Sequence, residues 1–258
     1  MHFSVFAQSY RELGRPVLIS TLALLGLAGL VLLAFPVLDT ALDMDWLSSQ
    51  GSASILFGDE AGGLRLSMLA GWLAAVGFGL IFPLALTVYA SIIGSWLVGG
   101  EEERGSLGLL LAAPVTRWRF MLEKSAVLVV VILRPVLVLG VALLLLSRLG
   151  VGVPDLSSRV FGLFLLALVF GALALALGSI SGRRRLSLGI TLVGLGLAFA
   201  FSRLPDKLPV GHALRMISPV YLYEAAPASP VFLLALLALA LVCLGVGWAA
   251  FERRDLAV

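Results

Sequence analysis

Apolar residues fall along this chain in six blocks separated by short polar breaks, at about 17–38, 66–98, 125–146, 160–180, 186–201 and 230–251. A helix of about 20 apolar residues rises roughly 30 Å, the thickness of a bilayer's hydrocarbon core. The pattern therefore predicts an all-α polytopic membrane protein with six transmembrane helices. Pro16 suits the first turn of span 1. Span 2 is long enough to overshoot a bilayer, and Pro83 should kink it, since an interior proline removes one backbone hydrogen bond. Span 5 is the shortest. Ahead of span 1, Phe3, Phe6, Tyr10 and Leu13 recur every three or four residues among Gln8, Arg11, Glu12 and Arg15. That periodicity predicts an N-terminal amphipathic helix lying in the membrane interface, aromatic face down.

The breaks differ in character. Residues 39–66 hold Asp39, Asp43, Asp45, Asp59 and Glu60 among Gly and Ser, and read as an aqueous loop. Spans 4 and 5 are joined by the tight basic turn that contains Arg183, Arg184 and Arg185. The break between spans 2 and 3 is the most structured. Glu101, Glu102 and Glu103 end span 2, because three adjacent acids are costly in hydrocarbon. Ser106 can cap a short helix over 107–113, ended by Pro114. The stretch is either a snug interfacial loop that only orients spans 2 and 3, or a helix on which Leu107, Leu109, Leu110 and Leu111 give an exposed apolar surface of the kind that marks a docking site. Thr116 can cap the next segment, with Trp118, Phe120 and Met121 along the interface and Arg117, Arg119 and Lys124 facing headgroups.

Composition agrees. Of 258 residues, 60% are hydrophobic and 13% charged, with mean hydropathy +1.09; soluble chains carry roughly 25% charge. With both termini placed in the cytoplasm, eleven Lys and Arg fall inside and six outside, the bias that orients membrane proteins. The same bias explains the net charge of +3 without nucleic acid. The first apolar block exceeds a signal-peptide core, so it is expected to remain as a span. No internal repeat or soluble domain interrupts the chain, which reads as one transmembrane domain over 1–258.

Catalytic inventory is sparse. No Gly-x-x-x-x-Gly-Lys-Ser/Thr phosphate loop occurs. His2 and His212 both lie outside the spans and Cys243 is the single cysteine, so neither an intramembrane protease nor a protein metal site is assembled. The chain is expected to be neither an enzyme nor a cofactor binder. A non-transporting membrane scaffold fits the same docking helix. Arg134, about ten residues into span 3 and followed by Pro135, is the exception to an otherwise uncharged set of spans. It is either a pathway charge for an anionic substrate group or an arginine satisfied by carbonyls freed near Pro135 or by snorkelling.

The run from Glu103 through Arg104, Gly105, Ser106, Leu107 and the leucines to Pro114, Thr116 and Arg117 resembles the segment after the second span of ABC-2-type permeases. Around Met216, Ser218, Pro219, Tyr221, Tyr223 and Glu224, the chain is similar to that family's extracytoplasmic segment before span 6, with serine in place of an asparagine. Its compact length and the Leu-Leu-Leu-x-x-Pro run look like permeases serving nitrous oxide reductase maturation, and like gliding and lantibiotic-type permeases. The resemblance implies the membrane subunit of an ATP-driven exporter in the cell inner membrane. ATP and Mg would sit on a separate cytoplasmic ATPase, and a second permease chain would complete a twelve-span dimer whose pathway is lined by spans 2 and 5. Glu103, Gly105, Ser106, Leu107, Leu109, Leu110, Leu111, Pro114 and Arg117 would form the coupling helix. Arg183, Arg184 and Arg185 would be either a second cytoplasmic contact or an orientation signal on anionic lipid. Residues 204–226, with Met216, Pro219, Tyr221 and Tyr223, would be either re-entrant short helices capping the pathway or a structured loop.

Overall fold

Hydrocarbon offers the backbone no hydrogen-bond partner, so an apolar block must satisfy its own carbonyls and amides as a helix or within a closed barrel. A computed structural model describes residues 5–41, 69–104, 116–204 and 211–253, and among them no strand occurs. Six helices are long and apolar enough to span a membrane: α1 (Val5–Ala41), α2 (Leu69–Glu103), α3 (Arg117–Arg148), α4 (Leu156–Ser181), α5 (Arg184–Ser202) and, last in the chain, α8 (Pro230–Arg253). Two short helices, α6 (Gly211–Ile217) and α7 (Pro219–Glu224), precede α8.

Three boundaries depart from the expectation drawn from the sequence. Pro16 does not start a helix: α1 passes through both Pro16 and Pro36 without interruption, so the N-terminal amphipathic stretch and span 1 form one rod. A single lost backbone bond is evidently tolerated where the rest of the ladder stands. Arg184 and Arg185 belong to the first turn of α5 rather than to a loop, which lengthens that helix to 19 residues. Thr116 caps as expected, its hydroxyl accepting from the Arg119 N–H, but the helix it starts continues straight into span 3. The side chains of residues 5–13 lie outside the described set, as do the loop at 42–68 and the predicted helix at 107–113.

Span 4 is the axle. Its Leu163, Leu165, Leu166 and Ala167 are fully or almost fully buried, and α2, α3, α5 and α8 all pack on it. Close approach is made by small residues, since the hydrophobic effect does not pull helices together inside lipid. A Cβ on Gly94 of α2 would run into the Gly171 carbonyl of α4, and one on Gly247 of α8 would lie 3.0 Å from Ala176 Cα. Side-chain donors then tie helices together. Ser187 of α5 donates to the Ala174 carbonyl of α4 at 2.5 Å, and Trp72 of α2 donates to the Val31 carbonyl of α1 at 2.9 Å.

Span 2 is not a uniform α-helix. Residues Leu73–Ile81 and Trp96–Gly100 are wound as π-helix, flanking an α-helical middle, Phe82–Ser95, that carries Pro83 in its first turn. Pro83 therefore acts by changing the winding of the helix on its N-terminal side. Such segments are rare and are frequently found at functional sites.

Gly94→Val should destabilise the bundle by about 1–3 kcal/mol through overpacking, seen as a lower unfolding temperature of the detergent-solubilised protein. Gly189→Ala, at a position with open space around it, should leave that temperature unchanged.

Candidate functional site

The residues flanking the predicted docking helix converge at one end of the bundle. Span 2 ends there at Glu101, Glu102 and Glu103, span 3 starts at Thr116, the α4–α5 turn passes through Gly182, and α8 finishes at Arg253. Of the expected coupling residues, Glu103 is exposed at the end of α2 and Arg117 is exposed at the start of α3. Gly105, Ser106, Leu107, Leu109, Leu110, Leu111 and Pro114 lie outside the described residues.

Beneath those two ends sits a feature that the hydropathy pattern concealed. Lys124 is fully buried and its ammonium meets the carboxylate of buried Glu101. Expected at the headgroups and in the loop, both are instead interior groups. The reason is geometric: α3 is continuous from Arg117, so Lys124 stands two turns inside the bundle on the face that packs against α2. The ammonium also lies 5.3 Å from the Phe120 ring centroid, a cation–π contact strengthened by exclusion of water. Charges removed from water are tolerated only when paired and hydrogen-bonded. The pair thus fixes the end of span 2 against the start of span 3.

Aromatic contacts extend this clasp to α8. Phe120, fully buried, stacks on Phe251 with centroids 5.5 Å apart, and Trp118 meets Trp248 edge-on at 4.4 Å. Trp248 Nε1 donates to the Ser125 hydroxyl at 3.2 Å, and Arg117 donates to the Glu252 carbonyl at 3.4 Å. Of the three residues expected along the interface, only Trp118 is exposed; Phe120 and Met121 are core.

The basic turn joins the same cluster through its backbone. A Cβ on Gly99 of α2 would lie 3.0 Å from the Arg184 nitrogen, so the absence of a side chain there eases the approach of span 2 to the start of α5. Arg184 is partly buried, whereas Arg183 and Arg185 are exposed. Arg104 stacks over Trp96 at 5.0 Å, folding the end of α2 back on its π-wound turn.

Arg134 does not point into the single-chain core. It is exposed on α3, in line with Val130, Leu137 and Val141, whereas Pro135 beside it is buried. Leu137 and Val141 line an apolar cleft of about 260 Å3 between α3 and α4. Any pathway role for Arg134 therefore requires that this outer face of α3 meet the pathway.

At the opposite end, α6 and α7 form a small cap on the bundle. Ser218 accepts from the Tyr221 N–H as the helix cap of α7 and donates to the Ala198 carbonyl of α5 at 2.7 Å. Pro219 occupies the first turn of α7. Tyr221 lies beneath the Arg215 guanidinium at 4.8 Å and edge-on to Phe232. Tyr223 is buried and its hydroxyl donates to the Phe78 carbonyl of α2 at 3.0 Å. Met216 is exposed. Arg203, absent from the sequence-derived candidates, reaches Glu224 of α7 and the Gly79 carbonyl of α2.

Six apolar spans define a multi-pass membrane protein whose described charges gather at the two ends of the bundle, Arg134 apart. A family model described as "ABC-2 family transporter protein" matches residues 15–256, nearly the whole chain, and the chain belongs to that family. It is thus the membrane component of an ABC transporter, a class of subunit that is not itself catalytic and that works with a partner ATPase. No curated protein matches the chain.

The buried pair sets up a mutational test. Lys124→Met should cost about 3–5 kcal/mol, because it leaves a buried carboxylate without its cation. Glu101→Leu combined with Lys124→Met should recover most of that loss, as judged by the unfolding temperature in detergent.

Proposed function

We propose that this chain is the permease subunit of an ATP-driven exporter of the cell inner membrane, with both termini cytoplasmic and the Glu101–Lys124 end facing the cytoplasm. The observation that carries the reading is the buried Glu101–Lys124 pair, which joins the two helices whose exposed ends, Glu103 and Arg117, flank the predicted coupling helix. A force applied to residues 105–115 would reach spans 2, 3 and 6 together, since Glu101–Lys124 and the Phe120–Phe251 stack join all three helices. Buried, close-packed contacts transmit displacement with little compliance.

In this reading Leu107, Leu109, Leu110 and Leu111 fill a groove on the ATPase, Ser106 caps the helix, and Gly105 and Pro114 bound it. ATP and Mg bind to that partner. Arg183, Arg184 and Arg185 form a second contact beside the first, a placement supported by the approach of Arg184 to Gly99. A second permease chain, identical or different, completes the pathway. Met216, Pro219, Tyr221 and Tyr223 belong to an extracytoplasmic cap that closes its outer end. Arg134, on an outward face, would line the pathway only if that face meets the partner permease.

Two experiments test this. A P-loop ATPase should co-purify with the chain from native membranes, and Leu110→Asp should abolish the association while insertion stays normal; an unaltered complex contradicts the coupling role. Arg134→Leu should lower substrate-stimulated ATP turnover by the assembled complex, whereas unchanged turnover removes Arg134 from the pathway.

A further inference from the structure

Helix winding at Pro83 leaves a backbone deficit, and the cap fills it. Within the π-wound part of span 2, the Phe82 N–H reaches back five residues to the Gly77 carbonyl. The next donor would be residue 83, which is proline and has none. With the α spacing of Phe82–Ser95, residue 84 would address Leu80. That spacing leaves the carbonyls of Phe78 and Gly79 without a main-chain donor. A buried carbonyl without a donor costs as much as a lost hydrogen bond, and in a membrane water does not supply the missing one.

Both of those carbonyls receive side-chain donors from more than a hundred residues away. The Tyr223 hydroxyl donates to Phe78 O at 3.0 Å, and Arg203 Nη2 donates to Gly79 O at 2.9 Å. Arg203 is held in turn by Glu224, 2.8 Å from the same nitrogen but off the hydrogen-bonding axis, so the contact acts as an ion pair. All three side chains are largely buried, and two of them belong to α7.

We infer that Arg203, Tyr223 and Glu224 form a latch in which the cap holds the π register of span 2. Lifting α7 withdraws the donors from Phe78 and Gly79. The segment Leu73–Ile81 must then rewind or open to satisfy them. Conversely, rewinding span 2 removes the acceptors that hold α7 down. Opening of the cap and a change of register in the pathway-lining helix are one event. This deepens the reading of 211–224 as a cap and says what the cap senses.

Hydrogen–deuterium exchange on the full chain in lipid nanodiscs tests it. Tyr223→Phe removes one hydroxyl and little else, and should raise exchange across residues 78–84 as well as 211–224 by roughly three- to tenfold. The pair Arg203→Met with Glu224→Gln should do the same from the other acceptor. Pro83→Ala restores a main-chain donor, so in that background the effect of Tyr223→Phe on 78–84 should shrink to within about a factor of two. The latch is refuted if exchange rises only within 211–224, if neither segment responds, or if Pro83→Ala leaves the effect of Tyr223→Phe undiminished. Neither ATPase nor substrate enters this experiment, so its failure is distinct from a failure of ATPase docking.

Discussion

The buried pair between Glu101 and Lys124 organises the rest of the molecule. An ammonium and a carboxylate inside a membrane protein are stable only in each other's company, so the end of span 2 and the second turn of span 3 are held in one relative position. The aromatic clasp of Phe120 with Phe251 and Trp118 with Trp248 then brings α8 into the same unit. Gly99, by admitting the backbone of Arg184, brings in the start of α5. Arg104 and Thr116 thus stand on a base to which four spans contribute. Such a base suits the transmission of motion, because its parts cannot give way separately.

Span 2 connects this base to the cap. It carries a π-wound segment at each end and an α-helical middle packed through Gly94 onto Gly171. The cytoplasm-proposed end is pinned by charge, the opposite end by side chains that stand in for the donor Pro83 lacks. Its middle is buried against the axle of the bundle, with Thr87, Ser91 and Ser95 bonded back to their own helix. The helix is therefore firmly held at both ends and is regular only between them.

Much of the fold was legible in the sequence. Six apolar blocks gave six helices, because hydrocarbon leaves the backbone few alternatives. Thr116 was readable as a cap because hydroxyls at that position bond the helix's free amides. What escaped were pairings between distant residues. Lys124 and Glu101 each look like ordinary boundary charges, and only the continuity of α3 through residues 117–124 shows that one lies inside and needs the other. Arg203 carries no motif, and Tyr223 was legible only as part of the extracytoplasmic segment; the signal that could have found their bonds to span 2 is Pro83, whose missing donor implies that a partner must come from elsewhere. Pro16 misled for the opposite reason, since one lost hydrogen bond did not outweigh a long helix on either side.

Joined by the Glu101–Lys124 pair, spans 2 and 3 should move as one unit beneath the proposed coupling segment. Spin labels at the exposed positions Glu103 and Arg119, in a Cys243→Ala background and with the ATPase bound, measure it by pulsed electron paramagnetic resonance. The account predicts one narrow distance distribution, the same without nucleotide and with ATP trapped. A distribution that shifts or splits on nucleotide binding would show that the buried pair does not hold the two helices together, and would contradict it.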